Sequence, residues 1–292
     1  MFNDPPPERR KPHPLEREPA RPPAAPDGQP PRQQVILRIP SVRPIATYTL
    51  IAINVAVFLI RATSVRLDTQ ILEWGANNSP AVLANGEIYR LLSSMFLHAS
   101  IFANQFGAYA LENSVHIIFN MYALYIIGKQ VERLFGHVRF TLIYLLGGLG
   151  GAVLSAALSG PDSYSVGASG AVFSIFGAWF IYLFQHRKLL GPRGRSQMQS
   201  LVIIAVMNLA VGALTGFGGG PVLIDNWAHI GGLIGGLALT WVIGPIYIVR
   251  RHPEHPNELL GEDINPLKNR YWVLSVYVVA LMVILFIARS VT

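Results

Sequence analysis

The sequence predicts an all-α protein that crosses a membrane several times as one bundle of helices. Of its 292 residues, 51% are hydrophobic and 13% are charged, and the mean hydropathy is +0.39. Soluble domains carry about 25% charged residues. The apolar residues gather in long uncharged blocks separated by short basic stretches, which is typical of polytopic membrane proteins. The chain has no cysteine, so disulfides and thiolate-bound metals are excluded.

Residues 1–44 form a separate N-terminal tail that is rich in Pro and Arg and has almost no apolar pattern. Such a segment buries too little apolar surface to offset the entropy lost on ordering, so we expect it to be disordered. It lacks the apolar core of a secretory signal. Its acidic residues argue against an organelle transit peptide.

Seven hydrophobic blocks follow the tail, each near the length that a helix needs to cross about 30 Å of hydrocarbon. They lie at about 45–63, 114–132, 139–159, 169–186, 200–216, 226–248 and 272–289. The second block is the least apolar because it contains His116, Asn120 and Lys129. The first six blocks are assigned to a core at 45–248, and the seventh to a C-terminal helix within 272–292.

The basic residues predict the orientation of these spans. Of the 23 Lys and Arg residues, eight lie in the tail, three between blocks two and three, four between blocks four and five, and four between blocks six and seven. With seven spans, all four groups lie on one side, which the positive-inside rule places in the cytoplasm. We therefore expect a cytoplasmic tail, a long external first loop at 64–113, a cytoplasmic linker at 249–271 and an external C-terminus. The net charge of +7 is then a topology signal rather than a sign of nucleic-acid binding.

Polar side chains at three places within the blocks are candidates for catalysis, because polar groups inside a span are costly. Ser169 lies at the external start of the fourth block, and His229 lies just inside the external end of the sixth. His116 and Asn120 are four residues apart and share one face of the second block. All of them lie at similar depth in the seven-span arrangement, so one site could contain them.

Small residues on the fourth and sixth blocks would allow Ser169 and His229 to meet. Gly167 and Gly170 flank the serine, and Gly232 and Gly236 follow the histidine along one side of its helix. Faces of small residues let two helix backbones pack closely in lipid. A serine hydroxyl must approach within about 2.6–3.2 Å of a base nitrogen to be activated. The first turn of a helix also offers N–H groups and a positive dipole end to a developing oxyanion, to which His116 and Asn120 could add side-chain donors.

Each feature also has a structural explanation. A serine between glycines usually packs helices together, and Asn120 could tie two helices to each other. His229 could be a hydrogen-bonded interior histidine or part of a proton relay. A transporter is an alternative from another functional class. It predicts a mid-membrane acid or an inverted repeat, and the sequence contains neither.

Taken in order, the motifs around these residues resemble those of the rhomboid family of intramembrane serine proteases over about residues 45–248. The motifs are Tyr89-Arg90, Met95-Phe96-Leu97-His98, His116-Ile-Ile-Phe-Asn120, Glu132-Arg133-Leu134-Phe135-Gly136, Gly167-Ala168-Ser169-Gly170 and Asn226-Trp-Ala-His229-Ile-Gly231-Gly232. Two features depart from the family pattern. Tyr89 stands where the family often has Trp, and the stretch from Ala103 to Asn113 lengthens the loop between His98 and His116.

The resemblance implies a six-helix core with one helix appended at the C-terminus. It implies a Ser169–His229 dyad and an oxyanion site made of His116, Asn120 and the Ser169 backbone N–H. The resemblance also implies supporting roles. Arg90 would brace the first loop, Glu132 would join a cytoplasmic hydrogen-bond network, and Phe173 would pack on the His229 ring. The other implied support residues are Gly167, Gly170, Asn226, Gly232 and Gly236. The Gly-rich segment before Asn226 would be a mobile cap over the site.

The expected function is therefore cleavage of other membrane proteins within their transmembrane segments, near the outer face. No metal, cofactor or nucleic acid is implied, the lipid bilayer and transmembrane substrates are the expected partners, and a bacterial inner membrane is the expected location. A zinc protease is excluded because no His-Glu-x-x-His motif occurs. An aspartyl protease is excluded because the predicted spans contain no pair of carboxylates. The remaining alternative is an inactive relative that binds transmembrane segments and controls their trafficking. Replacement of Ser169 or His229 would favour that alternative, and both residues are present.

Overall fold

The structure, a computed structural model, describes residues 36–102, 113–218, 224–254 and 258–291. Most of the predicted tail lies outside these residues. So do residues 103–112 of the predicted loop extension and residues 219–223 of the predicted cap.

Helices make up most of the described chain, which confirms the all-α, polytopic prediction. The α-helices are α1 (Ile45–Arg61), α2 (Val65–Gly75), α3 (Arg90–Ser93), α4 (Ser114–Ala123), α5 (Lys129–Phe135), α6 (His137–Leu158), α7 (Ser169–Gln185), α8 (Arg187–Gly218), α9 (Asn226–Ile243) and α10 (Trp272–Val291). A π-helical turn, Leu124–Gly128, joins α4 to α5, so the second predicted block is helical throughout.

Among the residues that the structure describes, four helices are long and apolar enough to cross a membrane, judged by length and composition. They are α6, residues 187–214 of α8, α9 and α10. Helices α1 and α7 are apolar but shorter. The remaining predicted span is the α4–α5 stretch with its polar residues. The count of seven spans stays a prediction.

Helices α6, α7 and α9 form the centre of the bundle, and small residues bring α7 and α9 close together. A Cβ atom on Gly232 would lie 2.0 Å from the carbonyl oxygen of Gly170, and one on Gly236 would lie 2.0 Å from that of Ser174. The Ser174 hydroxyl donates to the carbonyl of Ile143 on α6 at 2.7 Å. Only glycine permits this approach, because any larger residue would push the two backbones apart.

The long first loop is folded, and it reaches the segment that precedes α7. It contains α2, α3, a π-helical turn (Pro80–Ala84), a 3₁₀ turn (Ser94–Phe96) and strand β2 (Asn77–Asn78). Strand β2 pairs antiparallel with β3 (Tyr164–Ser165). The backbone N–H of Gly167 donates to the carbonyl of Ser94 at 2.9 Å. The first loop therefore positions the residues immediately before Ser169.

A three-stranded sheet at the predicted cytoplasmic end corrects two parts of the sequence prediction. Strand β1 (Ile36–Arg38) lies within the tail predicted as disordered. Strand β4 (Tyr247–Arg251) begins in the last two residues of the predicted sixth block and continues into the predicted linker, and β5 (Glu258–Asp263) lies within that linker. The order is β1-β5-β4, with β1 parallel to β5. The sheet was missed because its strands are short and β1 pairs with a partner more than 200 residues away, beyond the reach of local periodicity.

The sheet is anchored to the bundle by polar contacts. Nη1 of Arg139, in α6, lies 2.7 Å from Oδ2 of Asp263 in β5, and its other terminal nitrogen donates to the carbonyl of Asn265. The Tyr247 hydroxyl donates to the carbonyl of Leu134 at 2.7 Å. The segment between α9 and α10 is thus built into the fold.

Helix α10 packs on α6, α9 and the π-helical turn of the first loop. The side chain of Tyr277 fills a notch between two glycines: Cβ atoms on Gly150 and Gly235 would lie 2.3 Å and 2.4 Å from its hydroxyl oxygen. Leu281 and Leu285 pack on the apolar cluster of the loop and α6. The appended helix therefore joins α6 and α9 to the first loop.

Helix α8 is longer than the fifth predicted block, and it is interrupted near its start. Gly191 has φ +57° there and is followed by Pro192. The amide of Asn226, at the start of α9, donates to the carbonyl of Leu209 in α8 at 3.0 Å. A Cβ atom on Gly212 would lie 2.2 Å from the Asn226 side-chain oxygen. The predicted support residue Asn226 thus joins α8 to the start of α9.

Candidate active site

Ser169 is the first residue of α7, so it lies where a helix presents unpaired N–H groups and its positive dipole end. Ala168 precedes it as the N-cap residue, and no side chain caps the helix. Gly167 has φ +136°, a conformation that L-residues with a Cβ rarely adopt. This backbone turns the chain into α7 at the serine.

His116 and Ser169 come together around Gly167. The position of a Cβ atom on Gly167 would lie 2.9 Å from Nε2 of His116 and 3.7 Å from Oγ of Ser169. The ring nitrogen predicted to stabilise an oxyanion and the predicted nucleophile thus both lie close to the position that a Cβ atom of residue 167 would take. A residue with a Cβ atom at 167 would force the His116 ring to shift.

The hydrogen bond on the other ring nitrogen of His116 indicates which nitrogen carries the proton. The backbone N–H of Ala99 donates to Nδ1 at 3.3 Å. A neutral imidazole has one N–H and one acceptor nitrogen. Because Nδ1 is the acceptor, the neutral ring carries its proton on Nε2, the nitrogen that faces Gly167.

His229 lies in the first turn of α9 and packs against α7. Its ring is stacked on Phe173, with ring centroids 4.2 Å apart and an angle of 10° between the planes. The residue before it, Ala228, faces Gly170: a Cβ atom on that glycine would lie 3.2 Å from the Ala228 carbonyl oxygen. The first turns of α7 and α9 therefore pack closely through Gly170 and Ala228, and the His229 ring contacts Phe173 next to this crossing.

The nearest acidic side chain in sequence, Asp225, is engaged elsewhere. One of its oxygens accepts the backbone N–H of Ala228 at 2.9 Å and caps α9, and the other accepts the Ser155 hydroxyl at 2.5 Å. Within the described part of the chain, Nδ1 of His229 has no hydrogen-bond partner. Asp225 therefore does not orient the His229 ring through Nδ1.

Asn120 lies one turn below His116 on the same face of α4, as the spacing predicts. Its amide nitrogen donates to the His116 carbonyl at 2.9 Å. An amide has two N–H groups. The bond to the His116 carbonyl uses one of them.

Arg90 braces the first loop. Its Nη1 donates to the carbonyls of Glu73 and Ala76 at 2.6 Å and 3.0 Å, and its Nε lies 2.6 Å from a carboxylate oxygen of Glu87. The hydrogen bond from Arg90, with a second from the Tyr89 hydroxyl, lowers the pKa of the Glu87 carboxyl below its usual value. The loop carrying Ala99 and Ser94 is thereby tied to α2.

Glu132 is fully buried, and its carboxylate caps α1 from α5. Its oxygens accept the backbone N–H groups of Ala46 and Thr47 and the hydroxyl of Thr47, at 2.6–2.7 Å. Nδ1 of His137 lies 2.5 Å from the same carboxylate. This is the hydrogen-bond network that the resemblance implied at the end of the bundle opposite the site.

The sequence analysis missed one charged pair close to the site. Arg61, at the end of α1, and Asp68, in α2, are both buried, and their side chains are 2.8 Å apart. Arg61 falls in the first predicted block and Asp68 in the predicted first loop, and neither residue was assigned a role. Opposite charges seven residues apart around a helix break gave no local signal of contact.

Comparison with known proteins agrees with the geometry. The model of the Rhomboid domain matches residues 85–246, more than half of the chain. Rhomboid protease GluP of Bacillus subtilis (strain 168) is 34% identical over 205 residues, which cover 69% of this chain and 35% of that protein. RHOMBOID-like protein 6, mitochondrial, of Arabidopsis thaliana is 36% identical over 169 residues, covering 58% of this chain and 48% of that protein.

Rhomboid protease AarA of Providencia stuartii is 29% identical over 226 residues, covering 68% of this chain and 73% of that protein. The match therefore spans about half or less of GluP and of the Arabidopsis protein. These relatives come from bacteria and from a plant, so they do not single out a bacterial inner membrane. The domain match contains the predicted motifs from Tyr89 to Gly232, and it includes α6, α8 and α9, three of the helices long and apolar enough to span a bilayer. The chain is an integral, multi-pass membrane protein of the rhomboid family.

Proposed function

We propose that this protein is an intramembrane serine endopeptidase that cleaves transmembrane segments of other membrane proteins near the outer face. The observation that carries the proposal is the convergence at the N-terminal turn of α7. Ser169 begins the helix, Nε2 of His116 adjoins it across Gly167, and His229 is stacked on Phe173 one turn further along.

The proposed reaction is acyl transfer to water. His229 accepts the proton of the Ser169 hydroxyl while the oxygen attacks a substrate carbonyl carbon. The oxyanion receives hydrogen bonds from Nε2–H of His116, from the free amide N–H of Asn120 and from the Ser169 backbone N–H. Each such donor contributes about 2.7–4 kcal/mol in the transition state. His229 then returns the proton to the leaving amine, and water attacks the acyl-enzyme with the same base.

The substrates follow from the site's depth. A transmembrane helix hides its carbonyls in intrahelical hydrogen bonds, so a cleavable segment must unwind locally. We propose that the substrates are single-pass membrane proteins with a locally unstable helix near the outer face. We also propose that the N-terminus of this protein lies in the cytoplasm.

The deciding experiment is cleavage of a reporter transmembrane segment by purified protein in liposomes, beside Ser169→Ala and His229→Ala. Both variants should lose activity, whereas Ser163→Ala, in the neighbouring external turn, should keep it. Labelling by a fluorophosphonate should disappear only in Ser169→Ala. Undiminished cleavage by either dyad variant would reject the dyad. Tight binding of the reporter without cleavage by the unaltered protein would support the inactive alternative.

A further inference from the structure

The orientation of the His116 ring depends on a short segment of the first loop. The backbone N–H of Ala99 donates to Nδ1 of His116, and the ring of His98 lies edge-on against that of His116, with centroids 5.3 Å apart. His98 is almost fully buried, with 1% of its surface exposed. The segment at residues 98–100 thus contacts the side of the His116 ring that faces away from Ser169.

The Arg61–Asp68 pair holds this segment on both sides of Ala99. Nη1 of Arg61 donates to the carbonyl of His98 at 2.8 Å, and the hydroxyl of Ser100 donates to Oδ2 of Asp68 at 2.5 Å. Arg61 is 1% exposed and Asp68 is 3% exposed. The backbone N–H of Ala99, the donor to His116, lies between these two contacts.

The chemistry of the pair favours a positioning role over a stabilising one. Removing two charges from water costs several kcal/mol per ion, and a well-packed apolar pair often stabilises a protein as much or more. A buried, hydrogen-bonded network does, however, fix the directions of its donors and acceptors. The carbonyl of His98 and the hydroxyl of Ser100 are held in this way.

We infer that Arg61, Asp68 and Ser100 are positioning residues for the oxyanion site. They hold the Ala99 N–H on Nδ1 of His116 and so keep the His116 proton on Nε2, toward Ser169. The inference rests on the proposed function in assigning the Nε2 proton to an oxyanion. What goes beyond the proposed function is the role of the buried Arg61–Asp68 pair in selecting the His116 tautomer.

The direct test is the ¹⁵N spectrum of the His116 ring in full-length protein labelled at histidine and reconstituted in liposomes. His116→Gln identifies the signals. In the unaltered protein, Nε2 of His116 should be protonated and Nδ1 should be unprotonated. Asp68→Asn and Ser100→Ala should give a mixture of both tautomers, whereas Ser100→Thr, which keeps the hydroxyl, should restore the single form. The matched control is Asp263→Asn, which breaks the other Arg–Asp pair, at the opposite end of the bundle, and should leave the His116 signals unchanged.

Kinetics give the second readout. Because the oxyanion forms only in the transition state, Ser100→Ala should lower kcat by about 10-fold and leave KM unchanged. A His116 ring protonated on Nδ1 in the unaltered protein would overturn the inference. So would a tautomer unaffected by Asp68→Asn. If instead the tautomer responds as expected but Ser169 is not labelled by fluorophosphonate and no reporter is cleaved, the proposed function fails and the positioning role stands.

Discussion

At the scale of single residues, Gly167 is the position on which the site geometry depends most directly. Its φ of +136° suits glycine, and a Cβ atom there would lie 2.9 Å from Nε2 of His116 and 3.7 Å from Oγ of Ser169. The backbone turn into α7 and the close approach of the His116 ring therefore both depend on glycine at position 167. Two different costs follow from adding one methyl group there.

Gly167→Ala should lower kcat about 100-fold, because the methyl group displaces His116 and strains the turn into α7. Reporter cleavage in liposomes measures this. Gly86→Ala is the control for strain alone, since Gly86 has φ +76° and a Cβ there would meet nothing within 4 Å. Gly160→Ala, with open space and no positive φ, controls for the methyl group itself. Normal activity in Gly167→Ala would contradict the placement of His116 beside Ser169.

The Phe173 ring fixes the plane of His229, so its removal should affect chemistry more than folding. Phe173→Leu should reduce kcat by about 10-fold, because a rotating imidazole spends less time aligned with the serine. The matched control is Phe176→Leu, one turn further along α7. Phe176 packs on Phe173 with ring centroids 5.8 Å apart. Equal losses of kcat in the two variants would indicate that packing alone is responsible.

The Glu87–Arg90 contact predicts a pH dependence of loop stability. Because the pKa of the Glu87 carboxyl is lowered in the folded protein, its contribution is present above the unfolded pKa and disappears as the pH falls through the folded one. The Tm of Glu87→Gln should therefore lie below that of the unaltered protein at neutral pH, and the difference should vanish in acid. A difference that persists at acidic pH would show that the carboxylate charge is not its source.

At the scale of elements, the crossing of α7 and α9 was predictable and its surroundings were not. The repeat of small residues on both helices indicated the contact of Gly232 with Gly170, since such repeats act through local spacing. The ion pair of Arg61 with Asp68 forms across the break between α1 and α2, and the strand Ile36–Arg38 pairs with residues more than 200 positions away. Local periodicity encodes neither contact. The intrahelical bond of Asn120 was also outside what spacing alone could predict.

The close crossing predicts different costs for neighbouring glycines of α9. Gly232→Ala should destabilise the protein by about 1–3 kcal/mol and abolish cleavage, because its methyl group would collide with the backbone of α7. Gly235→Ala should cost less, since its methyl group mainly meets the hydroxyl end of the Tyr277 side chain, which can move. Thermal unfolding in detergent and reporter cleavage measure both. A larger cost at Gly235 would contradict the described packing.

At the scale of the whole molecule, the predicted seven spans fix which surfaces face each side of the membrane. The chain has no cysteine, so single cysteines can be introduced without altering the background. An impermeant maleimide added outside intact cells should label Gly160→Cys and Ser290→Cys. It should label Lys188→Cys and Glu254→Cys only after the membrane is opened. Ser290→Cys protected like Lys188→Cys would instead indicate an even number of spans.

The parallel pairing of β1 with β5 determines when the three-stranded sheet can form during synthesis. Arg38 and Glu258, which are bonded at 2.8 Å, are separated by 220 positions. A ribosome must translate the six blocks of the core before the partner of the first strand exists. Strand β1 cannot pair with β5 before β5 has been synthesised, so the sheet forms late in folding, after the six blocks of the core.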